Sequence, residues 1–191
     1  MNKRAINHAM VVLVAALNLV LMMGVLAPAA YAANSPRVAV VVNTSIKPSI
    51  QASLDQFVSD LESEGYSVIV YATEGGTPDA LRTYLQNKWL EAESLVGCIL
   101  VGDLPIAWYE NAICSYPLDL FYMDMDGEWV DTEPNGKYDK HTNGTGDTRA
   151  EIWLGRLTAS PLISEDEATL LNNYFDKNHT VSYTHLTLPT N

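Results

Sequence analysis

The sequence predicts an α/β fold: a parallel sheet in three layers, with helices flanking both faces. Two observations predict it. Short apolar runs that stop at Asn, Gly or Asp, such as Val38-Ala39-Val40-Val41-Val42 and Cys98-Ile99-Leu100-Val101, read as strands buried on both faces. Between such runs the apolar residues recur at helical spacing, and strands that alternate with helices in this way require right-handed crossovers. Sheets of this kind bind ligands at the carboxyl ends of their strands. Asn43, Gly75, Asp103 and Gly155 fall there.

Each element has its own signal. The β-branched run at 38–42 ends at Asn43-Thr44-Ser45 and gives the first strand. From Ser49 onward Ile50, Leu54, Phe57, Val58 and Leu61 form one helical stripe that stops at Gly65, a C-terminal cap. Residues 66–71 form the second strand, closed by Gly75-Gly76. Thr77-Pro78-Asp79 opens a helix with an N-cap and a proline at its first position; Leu81, Tyr84, Leu85, Trp89 and Leu90 carry it to about Glu93. A third strand covers 96–101, and a fourth opens at Ile152-Trp153-Leu154 and stops at Gly155-Arg156. Ser164 with Glu167 reads as a capping box for a last helix running to about Asn178.

The ends stand apart. Lys3 and Arg4, an apolar stretch from Met10 to Ala27, and Ala30-Tyr31-Ala32 together read as a secretory signal peptide over residues 1–32. An uncleaved membrane anchor is the competing reading, because the stretch approaches spanning length. Val181 to Asn191 resembles a translated sequencing adapter and is set aside from fold reasoning. The domain is therefore expected over residues 33–180, truncated, with the native frame continuing beyond Thr180.

The chain carries 11 basic against 23 acidic residues, a formal net charge of −12. That balance argues against nucleic acid, whose phosphates recruit Lys and Arg. It suits an exported protein or one that binds divalent cations. Cys98 sits inside a core strand, and small buried thiols are common. Two unpaired cysteines are expected, with a Cys98–Cys114 disulfide as the alternative.

Between the third and fourth strands lies a long acidic segment, and a connection of that length is usually functional. Asp147 and Glu151 are four apart with carbonyls between them, an arrangement that suits a hard cation such as Ca²⁺. Asp124-Met125-Asp126-Gly127 followed by Asp131 also resembles a calcium loop; its Gly comes too early and its closing Glu is missing for an EF-hand. His141 has no partner at zinc-ligand spacing and reads as a surface histidine. Asn143-Gly144-Thr145 matches a glycosylation sequon, a weak pattern.

Taken in order, CILVGDLP, LDLFYMD, GDTRAEIWLGRL and an acidic helix ending NNYFDKN resemble the amino-terminal half of a gingipain-type cysteine peptidase domain. That family typically shows a strand ending V-G-D, a D-x-x-Y segment, an acid-x-x-x-Glu segment entering a strand, and I-G-R before a helix. The segment from Asp124 to Thr145 departs from its shortest members.

The resemblance implies a caspase-like (flavodoxin-like) sheet and a secreted or surface-bound bacterial endopeptidase acting on polypeptide substrates. It involves no nucleic acid, and no membrane once the signal is cleaved. Its catalytic Cys and His are expected beyond Thr180, since neither Cys98 nor Cys114 has a setting that would activate a thiolate. It further implies structural calcium on the carboxylates of Asp147 and Glu151, with carbonyls from Gly144 and Arg149 and a carboxylate from Asp103. Two other classes stay open. One is a non-catalytic, calcium-stabilised binding domain. The other is a metal-dependent hydrolase, which needs an open coordination position and a base.

Overall fold

A computed structural model describes residues 35–91 and 95–187. The expected signal peptide lies outside them. From Pro36 onward the chain forms one unit. Strands β1 (Arg37–Asn43), β2 (Ser67–Thr73), β3 (Leu95–Val101) and β8 (Trp153–Leu157) make a parallel sheet in the order β2-β1-β3-β8. This is the 2-1-3-4 opening of a flavodoxin-like doubly wound sheet.

Helix α1 (Lys47–Ser63) joins β1 to β2, and α2 (Pro78–Trp89) joins β2 to β3. Right-handed crossovers running in opposite directions must put their helices on opposite faces, and the core follows that rule. Val38, Val40 and Val42 pack with Ile50, Leu54 and Phe57 of α1 and with Leu171 and Phe175 of α3 (Glu167–Thr187). Ala39 and Val41 face Leu81 and Leu85 of α2, together with Phe121, Tyr122 and Met125 from the acidic segment. Because β1 is central and covered on both sides, all five residues from Val38 to Val42 are buried, which explains an apolar run without alternation. The result is a three-layer α/β fold. Among the described residues no helix is long and apolar enough to cross a membrane.

The local signals act much as read, with some corrections. Thr77 caps α2 by accepting from the Ala80 N–H at 3.2 Å. Gly65 has φ +97°, the left-handed conformation that ends α1. Ser164 is not the cap of α3. Asp166 takes that role, accepting from Thr169 N at 3.1 Å, while the Glu167 carboxylate turns back to Ala159 N and Ser160 N. Helix α3 also runs past Asn178 to Thr187.

The acidic segment is structured rather than loop. A hairpin of β4 (Trp108–Glu110) and β5 (Ser115–Pro117) comes first, then a 3₁₀ turn at Asp119–Tyr122. A second hairpin follows, of β6 (Glu128–Val130) and β7 (Lys140–Thr142). An aromatic cluster seals it to the sheet, with Phe121 stacked on Tyr138 at 4.4 Å and edge-on to Trp129 at 5.7 Å.

Candidate metal centre

The site begins with α2. Arg82 projects from it and donates to the carbonyls of Phe121 (2.8 Å), Asp124 (2.7 Å) and Gly127 (2.9 Å), while Gln86 donates to the carbonyl of Met125 (2.7 Å). Burial lowers the Arg82 pKa from its ordinary value, and the charge of Asp124 is the chief opposing influence. These bonds hold the chain in a tight turn after Tyr122 and press the Asp124 side chain inward.

Asp124 is fully buried, and a buried carboxylate needs partners. One oxygen accepts from the backbone N–H of Gly127 at 2.6 Å and of Asp126 at 3.2 Å. The other meets Nε2 of His141, whose ring stacks on Trp129 at 3.7 Å. His141 is therefore not the surface histidine expected; the β6–β7 pairing of Trp129 with His141 carries it inward.

Asp126 and Glu151 complete the cluster. One ligand oxygen from each of Asp124, Asp126 and Glu151 lies within 4.8 Å of the others. Glu151 is placed by its own N–H and that of Ile152, both donating to the Met123 carbonyl at 3.0 and 3.2 Å, and its Oε2 accepts from Met125 N at 2.7 Å. The 144–147 turn closes around Asp126, with Thr145 N donating to its carbonyl (2.9 Å) and Asp147 N to its carboxylate (3.2 Å). Two glycines make room: a Cβ on Gly127 would overlap the Asp124 carboxylate, and one on Gly146 would overlap that of Asp126. An open cleft of about 520 Å³ borders the cluster beside Arg82, Gln86, Trp129 and Gly144. Three carboxylates brought this close repel one another unless a cation offsets them, and an all-oxygen donor set suits a hard cation.

The structure thus draws one cluster from two separate sequence candidates. Glu151 comes from one, Asp124 and Asp126 from the other. Asp147 stands beside it, its carboxylate turned to Arg149 N at 2.7 Å, and Gly144 packs against the backbone of Asp126. Of the carboxylates expected as ligands, Asp147, Asp103 and Asp131 fall outside the cluster of Asp124, Asp126 and Glu151. Asp103 sits at the carboxyl end of β3, where its carboxylate accepts from the hydroxyls of Thr158 (3.2 Å) and Ser160 (2.5 Å). Asp131 caps a turn, accepting from Asn135 N and Gly136 N at 3.2 and 2.7 Å.

A second polar cluster lies at the carboxyl end of the sheet. Arg156 of β8 donates to both carboxylate oxygens of Asp119 (2.7 and 3.2 Å) and to the carbonyls of Leu104 and Pro105, each at 3.3 Å. The Tyr122 hydroxyl donates to the same Pro105 carbonyl at 2.8 Å. Burial raises the Tyr122 pKa, against the pull of Arg156. Asn43, at the end of β1, donates to the Asp103 carbonyl and accepts from Ser45. The Arg156 cluster spans β3 and β8, while the Asn43–Asp103 contact lies across β1 and β3, where the connections diverge to opposite faces.

No protein-family model and no curated protein matches this chain. Both cysteines are free, Cys98 buried and Cys114 exposed. Burial pushes the Cys98 thiol pKa up, away from a nucleophilic thiolate. Cys114 lies in the β4–β5 turn near Asn111, while His141 contacts Asp124 and His179 contacts Asp60. Among the described residues, no cysteine is paired with a histidine.

Proposed function

We propose that this chain is the amino-terminal part of the α/β domain of an exported gingipain-type cysteine endopeptidase, with a structural calcium ion held by Asp124, Asp126 and Glu151. One observation carries the reading. The separate motifs on which the resemblance rests meet in space: Asp119 and Tyr122 of D-x-x-Y, Leu104 and Pro105 after V-G-D, and Arg156 of L-G-R join in one hydrogen-bonded seam. A fortuitous string of short motifs has no reason to interlock at the carboxyl end of a parallel sheet. On this reading the seam shapes the floor of the substrate crevice, and the thiolate and imidazole are supplied by sequence beyond Thr180. A 33–180 protein therefore hydrolyses no peptide substrate, and turnover blocked by thiol alkylation would overturn the assignment. Reading the source gene past the Thr180 codon tests it directly. A frame that continues to a His and a Cys at successive strand ends supports it, whereas one that encodes Val181 to Asn191 and stops overturns it.

A second reading, a non-catalytic calcium-stabilised binding domain, accounts equally well for cysteines and histidines that do not pair among the described residues. Both readings use the same cation site. Calcium at one hundred times its Kd stabilises the folded chain by about 2.7 kcal/mol, a rise in Tm of roughly 5–10 °C for a domain of this size. Calorimetry with calcium and with chelator measures it. Gly146→Ala, which pushes a methyl onto Asp126, is expected to abolish the rise.

A further inference from the structure

The described residues contain two Asn-Gly dipeptides, Asn135-Gly136 and Asn143-Gly144, both exposed. The structure treats their side chains differently. Asn135 donates through Nδ2 to Glu110 at 2.5 Å and accepts through Oδ1 from Lys137 N at 2.9 Å, so both ends of its amide are held. Asn143 makes no side-chain hydrogen bond among the described residues; only its main-chain carbonyl is engaged, by Gly146 N at 2.9 Å. Gly144 cannot readily be exchanged, because its φ is +52° and a Cβ there would run into the backbone of Asp126. The turn around Asp126 therefore requires the one following residue that leaves the asparagine amide least shielded.

We infer that Asn143 is a site of spontaneous deamidation, and that Asn135, with the same following residue, is protected by the fold. The Gly144 nitrogen attacks Cγ of Asn143 and loses its proton, a C–N bond forms, and the amide departs as ammonia. Water then opens the succinimide at either carbonyl, leaving aspartate or isoaspartate. Isoaspartate inserts a methylene into the main chain of the turn whose N–H groups, from Thr145 and Asp147, hold Asp126. Ageing at Asn143 thus disturbs the cation site itself, a consequence that rests on the calcium reading, whereas the modification does not.

The test is peptide mapping by mass spectrometry of the full chain aged at mildly alkaline pH, folded and in denaturant. In the folded chain Asn143 is expected to convert about tenfold or more faster than Asn135, whose amide must first give up two hydrogen bonds. In denaturant the two rates converge. Asn143→Gln, which closes its ring far less readily, keeps the turn and removes the modification from that peptide. Equal rates at the two sites in the folded chain, or faster conversion at Asn135, would overturn the inference. So would an unmodified Asn143 in a folded chain whose denatured form reacts at both sites. Loss of the calcium response in aged wild type, retained in aged Asn143→Gln, links the modification to the cation site. A chain that deamidates at Asn143 but never responds to calcium refutes the cation reading alone.

Discussion

Asp124 has no exposed surface and stands among two further carboxylates, with Gly127 N, Asp126 N and Nε2 of His141 as its partners. Asp124→Asn keeps the shape and one acceptor oxygen while removing the charge. The bonds from Gly127 N and Asp126 N and the contact with Nε2 of His141 weaken, and against that the repulsion from Asp126 and Glu151 falls. The expected net loss without cation is small, about 1–2 kcal/mol, on the scale of a charge-assisted bond reduced to a neutral one. If the cluster holds calcium as proposed, the rise in Tm on adding calcium disappears in this variant. Urea unfolding of both proteins with and without calcium checks this, and a full calcium response in the variant removes Asp124 from the site. The acids were visible in the sequence individually, but their grouping was not. Glu151 reaches Asp124 only because the β6–β7 hairpin and the 144–147 turn fold back between them. The local signal that marks the site is the pair Gly127 and Gly146, each placed where a side chain would collide with a carboxylate.

At the scale of elements, the parallel strands and their helices were legible because burial on both faces forces unbroken apolar runs, and caps such as Thr77 and Gly65 punctuate them. The hairpins of the acidic segment were not. Their strands are three residues each, too short to establish a period, and tertiary contacts to Phe121 and Tyr138 hold them. The β3–β8 pair shows how strongly one contact can set an element. Gly97 is in register with Trp153, and the indole fills the space that a Cβ on Gly97 would need. Gly97→Ala therefore drives Trp153 off the strand pair, at a cost of about 1–3 kcal/mol typical of overpacking. If the clash is the cause, adding Trp153→Val to Gly97→Ala recovers part of that loss. A double-mutant cycle measures it, and strictly additive effects would show that the two residues act separately.

For the molecule as a whole, the α2 face of the sheet is sealed by tyrosines, and they set a limit at alkaline pH. Tyr138 is buried, stacks on Phe121 and donates to Asp79 at 2.7 Å; burial first, then that bond, raises its pKa. Burial likewise raises Tyr122 and Tyr84. A group whose folded pKa is raised keeps its proton in the native state after the unfolded chain has released it. Its contribution is therefore complete below the unfolded value, about 10 for tyrosine, and is lost as pH rises above it. Cys98 moves in the same direction from a lower starting point, about 8.5 in the unfolded chain. Stability is accordingly expected to hold up to about pH 8.5 and to fall with increasing slope above about pH 10. The ionisation absorbance of Tyr122 and Tyr138 should appear together with loss of the near-ultraviolet circular dichroism, in one cooperative step. Tyr138→Phe keeps the ring stack, removes the ionisable hydroxyl and moves that step to higher pH. At neutral pH it costs about 1 kcal/mol for the bond to Asp79. Ionisation of every tyrosine near pH 10 with the dichroism unchanged would mean that these rings do not seal the core.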